Sequence, residues 1–170
     1  MGISEFEDEY EAEDAHKITG AILTEPIRVL EPKAPVCVRP GTTLRQAIDA
    51  MNAVKACCLL VTEGDRLLGI LTERDILREV VGKMDLEERV EQAMTPDPET
   101  VTLDEGIAFA LSKMHVGGFR HIPVVDERKR PVGVVSVRDF VRFIVALFPS
   151  AVLNLPPEPA LGVSRTPGGG

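Results

Sequence analysis

Apolar residues recur along this chain with two different periods, in a fixed order. Leu44, Ala47, Ile48 and Met51 fall at three- and four-residue spacing, the mark of a helix with one buried face, and so do Ile107, Ala110, Leu111 and Met114. Thr43 is the expected N-cap of the first helix, and Thr102 or Asp104 of the second. Each stripe follows a short β-prone segment, Val36 to Val38 or Thr100 to Val101. Each is followed by an unbroken apolar run, Cys57 to Val61 or Ile122 to Val125, which predicts a strand buried on both faces. After a polar turn (Glu63-Gly64-Asp65; Asp126 to Arg130) come strands at Leu67 to Leu71 and Val132 to Val135. A last helix is expected from Thr72 or Ser136, with apolar stripes Ile76, Leu77, Val80 and Phe140, Val141, Ile144, Val145, Leu147.

The same string of elements therefore occurs twice, and the residues themselves repeat. Gly69-Ile70-Leu71-Thr72-Glu73-Arg74-Asp75 returns 64 positions later as Gly133-Val134-Val135-Ser136-Val137-Arg138-Asp139. Upstream the offset is 63, pairing Pro35 with Pro98, Val38 with Val101 and Met51 with Met114; one extra residue around Val116-Gly117-Gly118 accounts for the slip. Repetition on this scale decides the architecture. The fold class is α/β (α+β), with two β-α-β-β-α units packed about a pseudo-two-fold axis. Each unit is about half a typical domain and buries too little surface to be comfortable alone. The expected organisation is a tail at 1–17, repeat 1 at 18–85, repeat 2 at 86–148 and a tail at 149–170. Leu86 to Met94 reads as a helical lead-in to the second copy, with Ile18 to Ile22 as its weaker counterpart.

Composition changes this picture only at the ends. The 170 residues carry a net charge of −8, yet residues 1–15 hold seven acids and no base. The acidity belongs to a segment that is expected to be solvated, or to act as an interaction arm or a plug competing with anionic ligands. The pI near 4.9 and the lack of a basic run interleaved with aromatics argue against nucleic acid as partner. No apolar stretch approaches the ~20 residues of a membrane span. Cys37, Cys57 and Cys58 form no CxxC motif, which predicts reduced, buried thiols and a cytoplasmic location, with no metal site. The final Pro167-Gly168-Gly169-Gly170 and the Pro156-Pro157-Glu158-Pro159 stretch read as an extended or disordered end.

The repeated motif has two chemical readings. As a capping box, the Thr72 or Ser136 hydroxyl caps a helix and the Asp75 or Asp139 carboxylate reaches back. As a ligand site, the same groups stand at the carboxyl end of a strand and the mouth of a helix, where α/β proteins hold phosphates and riboses. A short carboxylate there can accept both hydrogen bonds of a ribose diol. A second constellation, Phe119-Arg120-His121-Ile122-Pro123-Val124-Val125-Asp126, sets an arginine and a histidine before a buried strand, a combination suited to an anionic group. A surface arginine beside a half-buried structural histidine is the plainer alternative.

The duplicated Gly-apolar-apolar-hydroxyl-x-x-Asp motif, with Phe119 to Asp126 and Met94-Thr95-Pro96, resembles a tandem cystathionine-β-synthase (CBS) domain pair, or Bateman module. The resemblance covers roughly residues 18–148. It implies two clefts that bind adenosine nucleotides between the repeats. It implies that Asp75 and Asp139 hold riboses, with Thr72 and Ser136 near ribose or phosphate. Val38 and Pro123, with their neighbours, would flank adenine, and Arg120 and His121 would contact phosphate, with Arg74 and Arg138 as further candidates. Ala56 and Cys57 replace the basic pair in the first copy. One competent site is therefore expected, built from Thr72, Asp75, Arg120 and His121, with a weaker or empty one around Ser136 and Asp139.

The resemblance thus implies a non-catalytic energy sensor for AMP, ADP or ATP, with S-adenosylmethionine less favoured. It would form a homodimer and signal to a protein partner. The competing reading is an interaction scaffold with vestigial sites. No P-loop, H-E-x-x-H or supported Cys-His arrangement points to an enzyme.

Overall fold

The computed structural model describes residue 20 and residues 24–147; the expected tails at 1–17 and 149–170, and Ile18 to Ile22 apart from Gly20, lie outside the described residues. The elements are β1 (Cys37–Val38), α1 (Leu44–Val54), β2 (Cys58–Glu63), β3 (Arg66–Thr72) and a short helix α2 (Glu73–Asp75) that runs into a π turn (Ile76–Val80). Then come β4 (Thr95–Pro96), β5 (Val101–Thr102), α3 (Ile107–Gly117), β6 (His121–Val125), β7 (Pro131–Ser136) and α4 (Val137–Leu147). Strands β1–β4 form one sheet in that order, and β5–β7 another. In both sheets the first strand is parallel to the second and the second antiparallel to the third.

Local chemistry explains most boundaries. Thr43 and Gln46 form a complete capping box at the start of α1. The second repeat departs from this. Gly106 is the N-cap of α3 and supplies no side-chain bond, so neither Thr102 nor Asp104 caps it. The Thr102 amide donates instead to Glu105, which holds the turn before the helix. In α1 and α3 the buried residues are Leu44, Ala47, Met51 and Ile107, Ala110, Met114, as the spacing predicts.

The apolar run in β2 is buried on both faces. Leu59 and Val61 enter the core under α1, while Cys58 and Leu60 join Ile70 on the opposite face, where Val134 of the other sheet packs against them. The two repeats thus meet through their sheets.

The repeats also exchange their lead-in segments. Ile27 and Leu30, from a 3-10 turn ahead of β1, are buried in the core of the second repeat. Val90 and Ala93, ahead of β5, are buried in the core of the first. Hydrogen bonds trace the symmetry at an offset of 63. Ile27 N donates to Glu105 O and Val90 N to Thr42 O; Ile107 N donates to Glu25 O and Leu44 N to Glu88 O. Residues 25–33 are therefore the symmetry mate of 88–96 in the second lead-in, of which only Val90–Gln92 is a 3-10 turn. This crossing also explains the glycine that opens each repeated motif. A Cβ at Gly133 would stand 2.7 Å from Cβ of Pro32, and one at Gly69 would strike the Met94 thioether.

Candidate functional site

Each repeated motif lies where its strand turns into a helix. Thr72 ends β3 and caps α2: its Oγ1 accepts from the Asp75 amide at 3.3 Å, while its own amide (2.9 Å) and hydroxyl (2.7 Å) donate to Oδ2 of Asp75. Ser136 ends β7, and its amide (2.8 Å) and hydroxyl (2.7 Å) donate to Oδ2 of Asp139. The capping box is complete in the first copy; in the second the carboxylate's reach back to Ser136 is present, and in both this occupies only one carboxylate oxygen.

The second oxygen separates the repeats. Oδ1 of Asp139 is 3.0 Å from the Arg142 guanidinium, so both oxygens of that carboxylate are engaged. Oδ1 of Asp75 takes no partner among the described residues. It is an acceptor that the helix cap leaves open.

Asp75 opens onto a cavity of about 620 Å³ between the repeats. Thr72, Arg74 and Asp75 line it from the first repeat, and Gly118, Phe119, Arg120 and His121 from the second. A bond from the Val137 amide to Arg120 O (3.0 Å) holds the segment ahead of β6 beside β7. On the facing side, the Arg74 guanidinium donates to Gly118 O at 3.2 Å. Gly118 is left-handed (φ 68°) and ends α3 there, so the chain can turn back along the cavity wall. Apolar contact comes from Ile70, Cys57, Pro98 and Phe119.

The charges are mixed. Arg74, Arg78 and Arg120 face the acids Glu73, Asp75, Asp97 and Glu99 around the cavity, and Lys113 neutralises Glu99 at 2.7 Å. Arg78 and Arg120 make no ion pair among the described residues. Burial holds His121 below its ordinary pKa, with Glu73 and Asp139 opposing and Arg138 and Arg120 reinforcing the shift. The imidazole is thus neutral at pH 7, with a ring N–H to donate. Burial pushes the Cys58 thiol up to about 12, which makes it an inert core group.

Of the residues singled out in the sequence, Thr72, Asp75, Arg74, Arg120 and His121 come together here. Ser136, Asp139 and Arg138 belong to the other strand–helix junction and do not line this cavity. Neither do Val38, half-buried on the far edge strand against the first core, nor Pro123, buried in β6 opposite Val134. The backbone beside the cavity is instead Asp97 to Glu99, just ahead of β5. Sequence reasoning missed Arg78; its signal is the four-residue step from Arg74, one turn along the same helix.

Among the described residues no helix is long and apolar enough to cross a membrane, and no cluster of His, Cys, Asp and Glu fits a metal ion. Comparison with known proteins returns the CBS domain family, which matches residues 29–82 and 90–146. An uncharacterized 17.7 kDa protein of Acidianus ambivalens is 35% identical over 109 residues, 64% of this chain and 66% of that protein. A CBS domain-containing protein of Arabidopsis thaliana is 34% identical over 102 residues, 59% of this chain. The chain spans about two thirds of the archaeal relative and only 18% of the plant one. Among solved structures, a CBS domain protein from Pyrobaculum aerophilum complexed with AMP aligns with a TM-score of 0.65 at 27% identity, covering 74% of this chain and 99% of that one.

Proposed function

The chain belongs to the CBS-domain family, and from that premise we propose that it is a non-catalytic regulatory module binding an adenosine nucleotide (AMP, ADP or ATP) between its repeats. One observation carries the reading: a free carboxylate oxygen on Asp75 and the Arg120–His121 pair, from different repeats, line the same cavity. Asp75 Oδ1 would accept from the ribose diol, and Arg120 with the His121 N–H would hold phosphate. Arg78 and Arg120, which make no ion pair among the described residues, are available to a phosphate, and S-adenosylmethionine is the less favoured ligand. The AMP complex of the Pyrobaculum relative supports the same ligand class.

A ligand shifts a conformational balance only by its different affinities for the two states. Because this site takes residues from both repeats, a bound nucleotide would favour one repeat packing over another. The output is a homodimer whose geometry a protein partner reads. Leu77 after α2 and Val141 of α4 are exposed apolar residues at corresponding places in the two repeats, with Val81 and Ile144 exposed nearby, and a second copy would cover them. The unpaired cysteines suit a cytoplasmic protein.

A second reading, an interaction scaffold with vestigial sites, is favoured by the saturation of Asp139 by Ser136 and Arg142. Calorimetric titration with AMP, ADP, ATP and S-adenosylmethionine separates the two, with sedimentation of the same samples. The sensor binds an adenylate at one site per chain, and Asp75→Ala weakens it about ten-fold or more, as for a lost hydrogen bond to a charged group. A chain that sediments as a dimer and binds none of the four would be the scaffold.

A further inference from the structure

The two helices that follow the repeated motifs differ in their winding, and the difference relocates one arginine. In the second repeat α4 is a regular helix from Val137 to Leu147, and Arg142, three residues beyond Asp139, turns back onto Oδ1 of that carboxylate. Its counterpart in the first repeat, at the same offset of 64, is Arg78. There the helix is regular only over Glu73–Asp75 and then widens, with Val81 N donating to Ile76 O at 3.0 Å, an i→i+5 bond. A π turn takes more residues per revolution than an α-helix, so a side chain three positions on points elsewhere. Arg78 does not reach Asp75; it lines the cavity, and its guanidinium takes no partner among the described residues. The local cause is legible. Gly82, left-handed at φ 73°, ends the first helix where Ala146 lets the second continue.

We propose that Arg78, delivered by this π turn, is the residue that selects a phosphorylated ligand in the cavity. Arg142 in the second repeat spends the same guanidinium on its own carboxylate. This single change of winding frees Asp75 for a neutral polar group and adds a cation for an anionic one. The two repeats thereby acquire different chemistry from one motif. The inference rests on the adenylate reading above and names what sets its preference for the charged end.

The test compares AMP with adenosine, which lacks the phosphate, by calorimetry on the full chain and on Arg78→Gln, Arg78→Lys and Arg142→Gln. Arg78→Gln is expected to weaken AMP about ten-fold or more, while adenosine changes by less than about two-fold, because the lost contact is charge-assisted and exists only with phosphate. Arg78→Lys keeps the charge and restores part of the loss. Arg142→Gln leaves AMP binding unchanged. Equal weakening of AMP and adenosine by Arg78→Gln, or no weakening of AMP, overturns the role of Arg78 and leaves the adenylate reading standing. Failure of the unmodified chain to bind AMP overturns both.

Discussion

At the residue scale, the chemistry turns on what is already satisfied before any ligand arrives. Asp75 and Asp139 occupy the same place in the repeated motif, and each accepts on one oxygen from the hydroxyl residue three positions before it. Only the arginine three residues on distinguishes them. His121 is the titrating group of the site. Burial holds its pKa below the ordinary 6.5, so the unfolded chain binds a proton more readily than the folded one. Stability contributed by neutral His121 is complete above about pH 6.5 and is lost as pH falls from there through the lowered folded value. Between pH 7.5 and 5.5, urea unfolding midpoints of the unmodified chain should fall further than those of His121→Gln; parallel curves would show that His121 is not held neutral. That Asp75, Arg120 and His121 meet at one cavity was legible because the repeated motif and the Arg-His pair each mark the end of a strand. The place of Arg78 in the cavity was not, since a local change of helix winding leaves little trace in the sequence beyond its spacing from Arg74 and Gly82.

At the element scale, periodicity located both central helices and all four long strands, because a buried face dictates residue type directly. It could not show which core each lead-in enters. Ile27 and Val90 are equally apolar, and only tertiary packing sends each to the opposite repeat. The N-cap of α3 was misread for a related reason. Gly106 stands at the position of Thr43 and makes the matching bridge to the exchanged segment, Gly106 to Pro26 as Thr43 to Arg89, but as a glycine it has no side chain to cap with. The motif glycines follow from the same exchange. Gly133→Ala forces a methyl against the Pro32 ring, which cannot move aside, and overpacking of this kind costs roughly 1–3 kcal/mol. Gly69→Ala meets the flexible Met94 thioether and should cost less. Denaturant midpoints of the two variants measure the difference, and a smaller loss for Gly133→Ala than for Gly69→Ala would refute the exchange as the reason for the motif glycine.

At the scale of the whole molecule, neither repeat holds a complete core or a complete site. Each core takes a segment from the other repeat's lead-in, and the cavity takes walls from both repeats. On the proposed reading, a nucleotide bound in this cavity would be coupled to repeat packing, because its walls come from both repeats. Cys57 reports on this directly, because its half-buried thiol lines the cavity, while Cys37 is exposed outside it and Cys58 is buried. The most direct measurement is the rate of alkylation of each cysteine by iodoacetamide, followed by mass spectrometry, with and without AMP. At ten times its Kd, AMP leaves about one chain in eleven unliganded. Cys57 should then react about ten-fold more slowly while Cys37 keeps its rate. An unchanged rate at Cys57 under saturating AMP would contradict a nucleotide site between the repeats.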